Sequence, residues 1–197
     1  MHKRTWKVIS ILLVITGIIV VGWNWMAYFS FQSAEKDIPK VEAKAPEKKK
    51  ETNGVQPLYD KAPKIGETIG TLFIPKIDAT LPIVHGTDED ELEKGVGHYA
   101  NSVLPGERDN SVLSGHRDTV FRKLGEVEEG DILVVTTSAG EFTYKVTETR
   151  IVDKDDRTVI VPSRKPILTV TTCYPFNFIG DAPDRFIVQG NLIQSET

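Results

Sequence analysis

The chain contains a single cysteine, whose thiol could take part in a reaction. Cys173 ends the apolar run ILTVTTC and is followed by Tyr-Pro-Phe, so it lies where a predicted strand meets a loop. Such a thiol is either a small buried hydrophobe or a nucleophile presented at a strand end. As the only cysteine of the chain, it excludes an internal disulfide framework and any Cys-rich metal site.

A thiol nucleophile needs a base or a cation beside it, because the thiolate is the form that attacks. His116, in the segment LSGHRDT, follows an apolar run and opens a polar loop, which makes it the candidate. His85, which precedes a glycine at a predicted turn, and His98, beside Tyr99, are the rival histidines. The histidines are not closely spaced, so the sequence predicts no metal site and no cofactor.

Arg185 could stabilise the negative charge that such a nucleophile creates. It begins the last apolar run, and the segment YPFNFIGDAPD can return the chain so that this run lies beside the Cys173 strand. Neighbouring strands are about 4.8 Å apart, which brings a guanidinium within reach of the thiol. Its donors form a rigid fork suited to an oxyanion. The alternative is a surface ion pair with Asp181 or Asp184.

Short β-type runs dominate the part of the chain that carries these three residues. They fall at residues 70–74, 80–84, 110–115, 131–137, 141–152, 167–172 and 185–193. Helix is predicted only at residues 88–94 and for one turn at 120–124, and the segment SAG at 138–140 is typical of a hairpin turn. About eight short strands with so little helix predict an all-β domain, either a closed barrel or a sandwich.

The N-terminal part of the chain has a different composition. Residues 8–27 contain no charge, and a run of about twenty apolar residues is what a bilayer core requires. We predict a cytoplasmic tail at 1–7, a transmembrane anchor at 8–29, a flexible charged tether at 30–63 and the folded domain at 64–197. Lys3, Arg4 and Lys7 place the N terminus in the cytoplasm and the domain outside the cell. A cleaved signal peptide is the alternative, and no small-x-small cleavage site follows the run.

Three segments together resemble a known family. TVTTCYPF, LSGHRDT and DRFIVQGNLI are similar to the Cys, His and Arg motifs of sortases, the cysteine transpeptidases of Gram-positive cell surfaces. The resemblance runs from about residue 66 to residue 193, and the GHRD and Cys-Tyr-Pro sequences resemble class D. It implies a closed eight-stranded sortase-type β-barrel with short helices, preceded by one N-terminal transmembrane helix.

The resemblance also implies the roles of individual residues. Cys173, His116 and Arg185 would be catalytic, and residues 64–197 would form the catalytic sortase domain. Thr172 would line the substrate groove. The loop at 153–166 would recognise the Leu-Pro part of a sorting signal through an apolar patch formed by Val159, Ile160, Val161 and Pro162. Some relatives gather carboxylates in the loop that here holds Glu107 and Asp109, and no cation site is predicted there.

The implied activity is that of a membrane-anchored cysteine transpeptidase. It would cleave an LPxTG-type sorting signal after Thr and join the protein to a cell-wall amine through a thioester acyl-enzyme. Its partners would be secreted surface proteins with a C-terminal sorting signal and a lipid-linked peptidoglycan precursor as the amine acceptor. The net charge of −4 argues against nucleic acid. Two alternatives stay open: a cysteine peptidase that transfers the acyl group to water, and a non-catalytic β-barrel binding module with a buried thiol.

Overall fold

The computed structural model describes residues 57–177, 180 and 182–197. The predicted cytoplasmic tail (1–7), the predicted transmembrane anchor (8–29) and most of the predicted tether (30–63) lie outside the described residues. Within the described ranges, no helix is long and apolar enough to span a bilayer.

Eight strands make up the described domain. They are β1 (Thr68–Ile74), β2 (Ala79–His85), β3 (Val96–His98), β4 (Asn110–Ser114), β5 (Ile132–Thr137), β6 (Gly140–Asp153), β7 (Ile167–Tyr174) and β8 (Asp184–Glu196). The helices of this part of the chain are the single turn α1 (Glu89–Leu92) and two 3-10 turns at Pro75–Ile77 and Leu124–Glu126. The prediction of an all-β domain with short helices is confirmed.

The strands close into a barrel, so of the two architectures predicted from the sequence, barrel and sandwich, the barrel is the one observed. Neighbours follow the order β1-β2-β3-β4-β7-β8-β6-β5, and β5 pairs with β1. The pairs β2–β3 and β4–β7 are parallel, and the remaining neighbours are antiparallel. Because β4 and β7 run in the same direction, the residues that follow their C-terminal ends meet at one rim of the barrel.

Side chains that alternate along the strands fill the interior of the barrel. On β6, Phe142, Tyr144 and Val146 are buried, as their alternation with polar residues predicts. Phe121 and Leu124, from the connection between β4 and β5, belong to the same core cluster. Burying a side chain of this size stabilises the fold by roughly 1.5–3 kcal/mol. The packed interior therefore gives rigid support to the barrel rim at which β4 and β7 end.

Two local predictions were wrong. No strand was predicted at β3, which is only three residues long and has Gly97 at its centre, where glycine weakens a strand signal. The backbone needs that glycine, because a Cβ there would lie 2.5 Å from the carbonyl oxygen of Gly86. The helical turn predicted at 120–124 instead lies at Leu124–Glu126, since Phe121 is buried in the core from an irregular turn.

Residues of the predicted tether contact the barrel. Leu58 packs against the core cluster, and the Tyr59 hydroxyl donates a hydrogen bond of 2.6 Å to the carbonyl oxygen of Pro105. Burial raises the pKa of Tyr59 to about 12, so the hydroxyl keeps its proton and remains a donor at neutral pH. The packed part of the chain therefore extends to the N-terminal side of residue 64.

Candidate active site

Cys173 and Arg185 lie directly opposite each other on the antiparallel strands β7 and β8. Directly opposed residues have Cβ atoms about 4.5–5.5 Å apart, so their side chains share one face of the sheet. Leu168 and Val170 on β7 point into the core, and strand alternation therefore places Cys173 on the outer face. The thiol is half-buried on that face, and the predicted side-by-side arrangement of the two strands is confirmed.

Backbone carbonyls orient the Arg185 guanidinium. Its Nη1 donates to the carbonyl oxygens of Ala182 and Asp184, at 3.1 and 2.9 Å. No ion pair between described residues includes Arg185, and the Asp184 carboxylate is not its partner. The remaining guanidinium donors are thus not engaged by a carboxylate of the described chain, as an oxyanion-binding role requires.

His116 is held beside the end of β7 by the backbone on either side of Gly115. The Gly115 N–H donates to the Thr171 carbonyl oxygen at 3.2 Å, and the Thr172 hydroxyl donates to the Gly115 carbonyl oxygen at 2.7 Å. A Cβ at Gly115 would lie 2.7 Å from the side chains of Val120 and Phe121. Glycine is thus required for the close approach that fixes the start of the histidine loop.

A single groove brings the three predicted catalytic residues together. His116, Cys173 and Arg185 line it jointly, with Asp153 and Lys154 from the end of β6 and the loop that follows. The groove is open to solvent on the outer face of the barrel. A thiol, an imidazole and a guanidinium at one place can attack a carbonyl, move a proton and stabilise an oxyanion.

A carboxylate also approaches His116, and the sequence pattern indicates only in general terms that one would be near. Glu89 at the start of α1 has its Oε1 3.5 Å from His116 Nε2. The acidic run DEDELEK predicted a short helix there without indicating which carboxylate would face the histidine. The Glu89 side chain is 73% exposed, so the pair contributes little to stability.

Only some of the residues predicted to bind substrate line the groove. Val159 and Ile160 line the groove, from the loop between β6 and β7. Val161 and Pro162 follow in the same loop and are exposed. Thr172 borders the groove, but its side chain is 2% exposed and its hydroxyl is bonded to Gly115, so it positions the histidine loop. The side chain on the outer face is that of the preceding Thr171, which strand alternation could have identified.

The two rival histidines form a stacked pair elsewhere in the barrel wall, in which His98 is fully buried and His85 is partly exposed. The rings of His85 and His98 stack, and their Nδ1 atoms are 3.0 Å apart. His98 Nε2 lies 2.9 Å from the Val103 carbonyl oxygen, which can only accept, so Nε2 carries the proton and Nδ1 accepts from His85. Neither histidine lines the groove that holds Cys173.

This pair makes the stability of the domain sensitive to acid. Burial lowers the pKa of His98 from 6.5 to about 4, against the opposing effect of the Val103 carbonyl. The unfolded chain binds a proton at this site near pH 6.5 and the folded chain only near pH 4, so stability falls as the pH drops between these values. We expect the free energy of unfolding to decrease by roughly 1 kcal/mol per pH unit from this site.

Urea unfolding at pH 7.0, 5.5 and 4.5 measures this effect. His98→Gln, which keeps an amide donor for Val103 but cannot titrate, should show a shallower dependence on pH than the wild type. Equal slopes for the two proteins would exclude His98 as the source of the acid sensitivity.

Comparison with known proteins matches this arrangement. The family model described as a sortase domain matches residues 72–193. The chain belongs to the sortase family. It is 44% identical to Sortase D of Bacillus subtilis (strain 168), over 95% of this chain and 98% of that protein. It is 25% identical to Sortase A of Bacillus anthracis, over 97% of this chain and 96% of that protein.

Solved structures agree with the sequence relatives. A Sortase D5 transpeptidase of Clostridium perfringens has a TM-score of 0.62 and 30% identity, covering 68% of this chain and 83% of its own. Sortase A of Corynebacterium diphtheriae has a TM-score of 0.61 and 32% identity, covering 65% of this chain and 61% of its own. The resemblance to sortases, including class D, is confirmed, and this sortase is a cysteine transpeptidase.

The two carboxylates noted in the loop between β3 and β4 have partners in the backbone. Glu107 accepts a hydrogen bond from the Leu104 N–H at 2.9 Å. Asp109 Oδ1 accepts from the N–H groups of Asn110 and Ser163, at 2.9 and 2.6 Å. The described residues contain no group of three or more His, Cys, Asp or Glu side chains placed to hold a metal ion.

Proposed function

We propose that this sortase cleaves an LPxTG-type sorting signal after Thr and joins the exported protein to a cell-wall amine, with Cys173, His116 and Arg185 as the catalytic residues. The observation that carries the proposal is the register of β7 and β8, which makes Cys173 and Arg185 a directly opposed pair. His116 lines the same groove from the end of β4.

In the first step, the Cys173 thiolate attacks the carbonyl carbon of the Thr residue. The carbonyl oxygen gains negative charge, which Arg185 stabilises through the donors that bond no described residue. The C–N bond to the following residue then breaks, and the His116 imidazolium gives its proton to the leaving amine. The product is a thioester between Cys173 and the N-terminal part of the client protein.

In the second step, an amine attacks the thioester carbonyl. His116, now neutral, accepts the proton of the attacking amine, and the C–S bond breaks to restore the thiolate. We infer that the acceptor is the amine of a lipid-linked peptidoglycan precursor. The charge-free run at residues 8–27 supports this, because a membrane anchor would keep the domain near a lipid-linked acceptor.

A peptide assay tests the proposal. A fluorogenic peptide containing Leu-Pro-x-Thr-Gly is incubated with the protein, with and without a primary amine, and the products are identified by mass spectrometry. Cleavage after Thr with an amine adduct supports transpeptidation. Hydrolysis alone, even at high amine concentration, favours the cysteine peptidase, and no cleavage together with an unreactive thiol favours the binding module.

The exchange Arg185→Lys tests the third residue. Lysine keeps the positive charge but has one nitrogen, whereas Arg185 bonds two carbonyls through Nη1 and keeps Nε and Nη2 as donors that bond no described residue. We expect kcat/KM for the peptide to fall by about 10²–10³, the usual cost of losing one oxyanion donor.

The same exchange at Arg122 is the control. Arg122 is an exposed arginine that bonds only the Asp118 carbonyl oxygen among described residues, and Arg122→Lys should stay close to the wild type. Circular dichroism verifies folding. A folded Arg185→Lys enzyme within about threefold of the wild type would fit the energy of an exposed ion pair and would remove Arg185 from the mechanism.

A further inference from the structure

The loop at residues 154–166, between β6 and β7, has little regular structure, yet it supplies one wall of the groove. Val159 in this loop is only 4% exposed, whereas Ile160 beside it is 51% exposed. A wall made from an irregular loop can select a side chain only if other parts of the fold hold it in place.

A series of three hydrogen bonds, of which the last two are buried, runs from the barrel to this loop. Gln189 Nε2 on β8 donates to Thr169 Oγ1 on β7 at 3.1 Å, and Thr169 Oγ1 donates to Asn110 Oδ1 on β4 at 2.8 Å. Asn110 Nδ2 then donates to the Val159 carbonyl oxygen at 3.2 Å. Thr169 is fully buried and Asn110 is 5% exposed, so water competes little for these bonds.

The chemistry of the groups fixes which atom donates and which accepts in each of these hydrogen bonds. The Val159 carbonyl can only accept, so the amide nitrogen of Asn110 must face it. The amide oxygen then faces Thr169, whose hydroxyl hydrogen needs an acceptor because its oxygen already accepts from Gln189. An aspartate at position 110 would place two oxygens against each other at the loop.

The two residues before Asn110 hold the far end of the loop. Asp109 Oδ1 accepts from the Ser163 N–H at 2.6 Å, and Arg108 Nε donates to the Arg164 carbonyl oxygen at 2.8 Å. Three consecutive residues that lead into β4 thus contact the loop at three places. Asp109 has a φ of 141°, a value that non-glycine residues rarely adopt, and these contacts hold it there.

We propose that Asn110 is a positioning residue that, through Thr169 and the Val159 carbonyl, holds the loop in the form that selects the apolar part of the sorting signal. The proposal rests on the function proposed above. Asn110 lies four residues before Ser114 on β4, roughly 13 Å from the end that leads to His116. Its loss should therefore weaken substrate selection and leave the chemical step intact.

Two pairs of variants test this. Thr169→Val removes the hydroxyl at nearly constant shape, whereas Thr169→Ser keeps it, and Asn110→Asp reverses the polarity at the loop. The control is Ser111→Ala, because Ser111 is the next residue on β4, is also buried, and has no side-chain hydrogen-bond partner among the described residues. Each protein is assayed for kcat and KM on the Leu-Pro-x-Thr-Gly peptide and on a peptide with Ala in place of Leu.

Thr169→Val and Asn110→Asp should lower the preference for the Leu peptide about tenfold, mainly through KM, since each leaves a buried group unpaired. Thr169→Ser and Ser111→Ala should keep the wild-type preference. The alkylation rate of Cys173 by iodoacetamide should be the same in all five proteins. An unchanged preference in folded Thr169→Val, or an equal loss with Thr169→Ser, would overturn the proposal.

Hydrogen exchange separates this proposal from the proposed function. The backbone N–H groups of residues 158–161, 163 and 164 should exchange faster in Thr169→Val than in Thr169→Ser, whatever peptide the wild type cleaves. Equal protection in both variants would overturn the positioning role. Failure of the wild type to cleave either peptide would instead overturn the proposed function, while the exchange comparison, made also on Asn110→Asp, still decides whether Asn110 and Thr169 position the loop.

Discussion

Replacing Cys173 with alanine is expected to abolish both peptide cleavage and amine transfer while the barrel stays folded. The side chain lies half-buried on the outer face and is not part of the core cluster, so its truncation should cost little stability. The chain has no second cysteine, and a thioester cannot form without sulfur. Mass spectrometry of the protein incubated with peptide should show an acyl adduct on the wild type and none on Cys173→Ala.

Cys173→Ser is the matched control, because it keeps the size of the side chain and replaces the thiol by a much weaker nucleophile. We expect it to be folded and almost inactive, which would attribute the loss to the chemistry of sulfur rather than to its volume. An acyl adduct that persists in Cys173→Ala, on another residue, would contradict the assignment of the nucleophile.

Replacing His116 with alanine is expected to lower kcat/KM for the sorting peptide by about 10²–10⁴, the usual contribution of a general acid–base. In the proposed mechanism the imidazole both protonates the leaving amine and accepts the proton of the attacking amine, so cleavage and transfer should fall together. Peptide cleavage at several pH values, with thermal unfolding measured in parallel, gives the comparison.

The other histidines supply the control for this variant. His85 is partly exposed and does not line the groove, so His85→Ala should keep most of the activity. His98→Ala should mainly lose stability, since His98 is fully buried between His85 and the Val103 carbonyl. A larger loss of activity per folded molecule in either of these than in His116→Ala would reassign the acid–base.

The strands that could be predicted from sequence are those with a clear chemical pattern. On β6, apolar and polar residues alternate over the whole core-facing part, and the sequence SAG marks the turn before it. The strand β3 could not be predicted, because Val96 and His98, though fully buried, are too few to form an alternating pattern around Gly97, and the close approach of Gly97 to Gly86 is a contact between backbones. Sequence patterns report side-chain burial, and contacts between backbones leave no such pattern.

The three residues proposed to be catalytic could be selected from the sequence because each has an uncommon side-chain chemistry near a strand end. The groups that position these three side chains could not be predicted. Glu89 is one acidic residue among several on α1, and only the fold shows that it faces His116. The partners of Arg185 are backbone carbonyls, and every residue has one, so no residue type marks them. Asn110 and Thr169 are ordinary strand residues until β4 and β7 are placed side by side.

The strand register that sets Cys173 opposite Arg185 also determines the packing of the interior. In the same register, Val170 opposes Val188, and both are buried in the core. A slip of β7 against β8 by one residue would turn Val170 outward and would move the Cys173 thiol away from the face that carries Arg185. A molecule with Val170 and Val188 both inside the core therefore also has the Cys173 thiol and the Arg185 guanidinium side by side on the outer face. Substitutions that weaken the packing of this core should lower the activity of the enzyme before they unfold the domain.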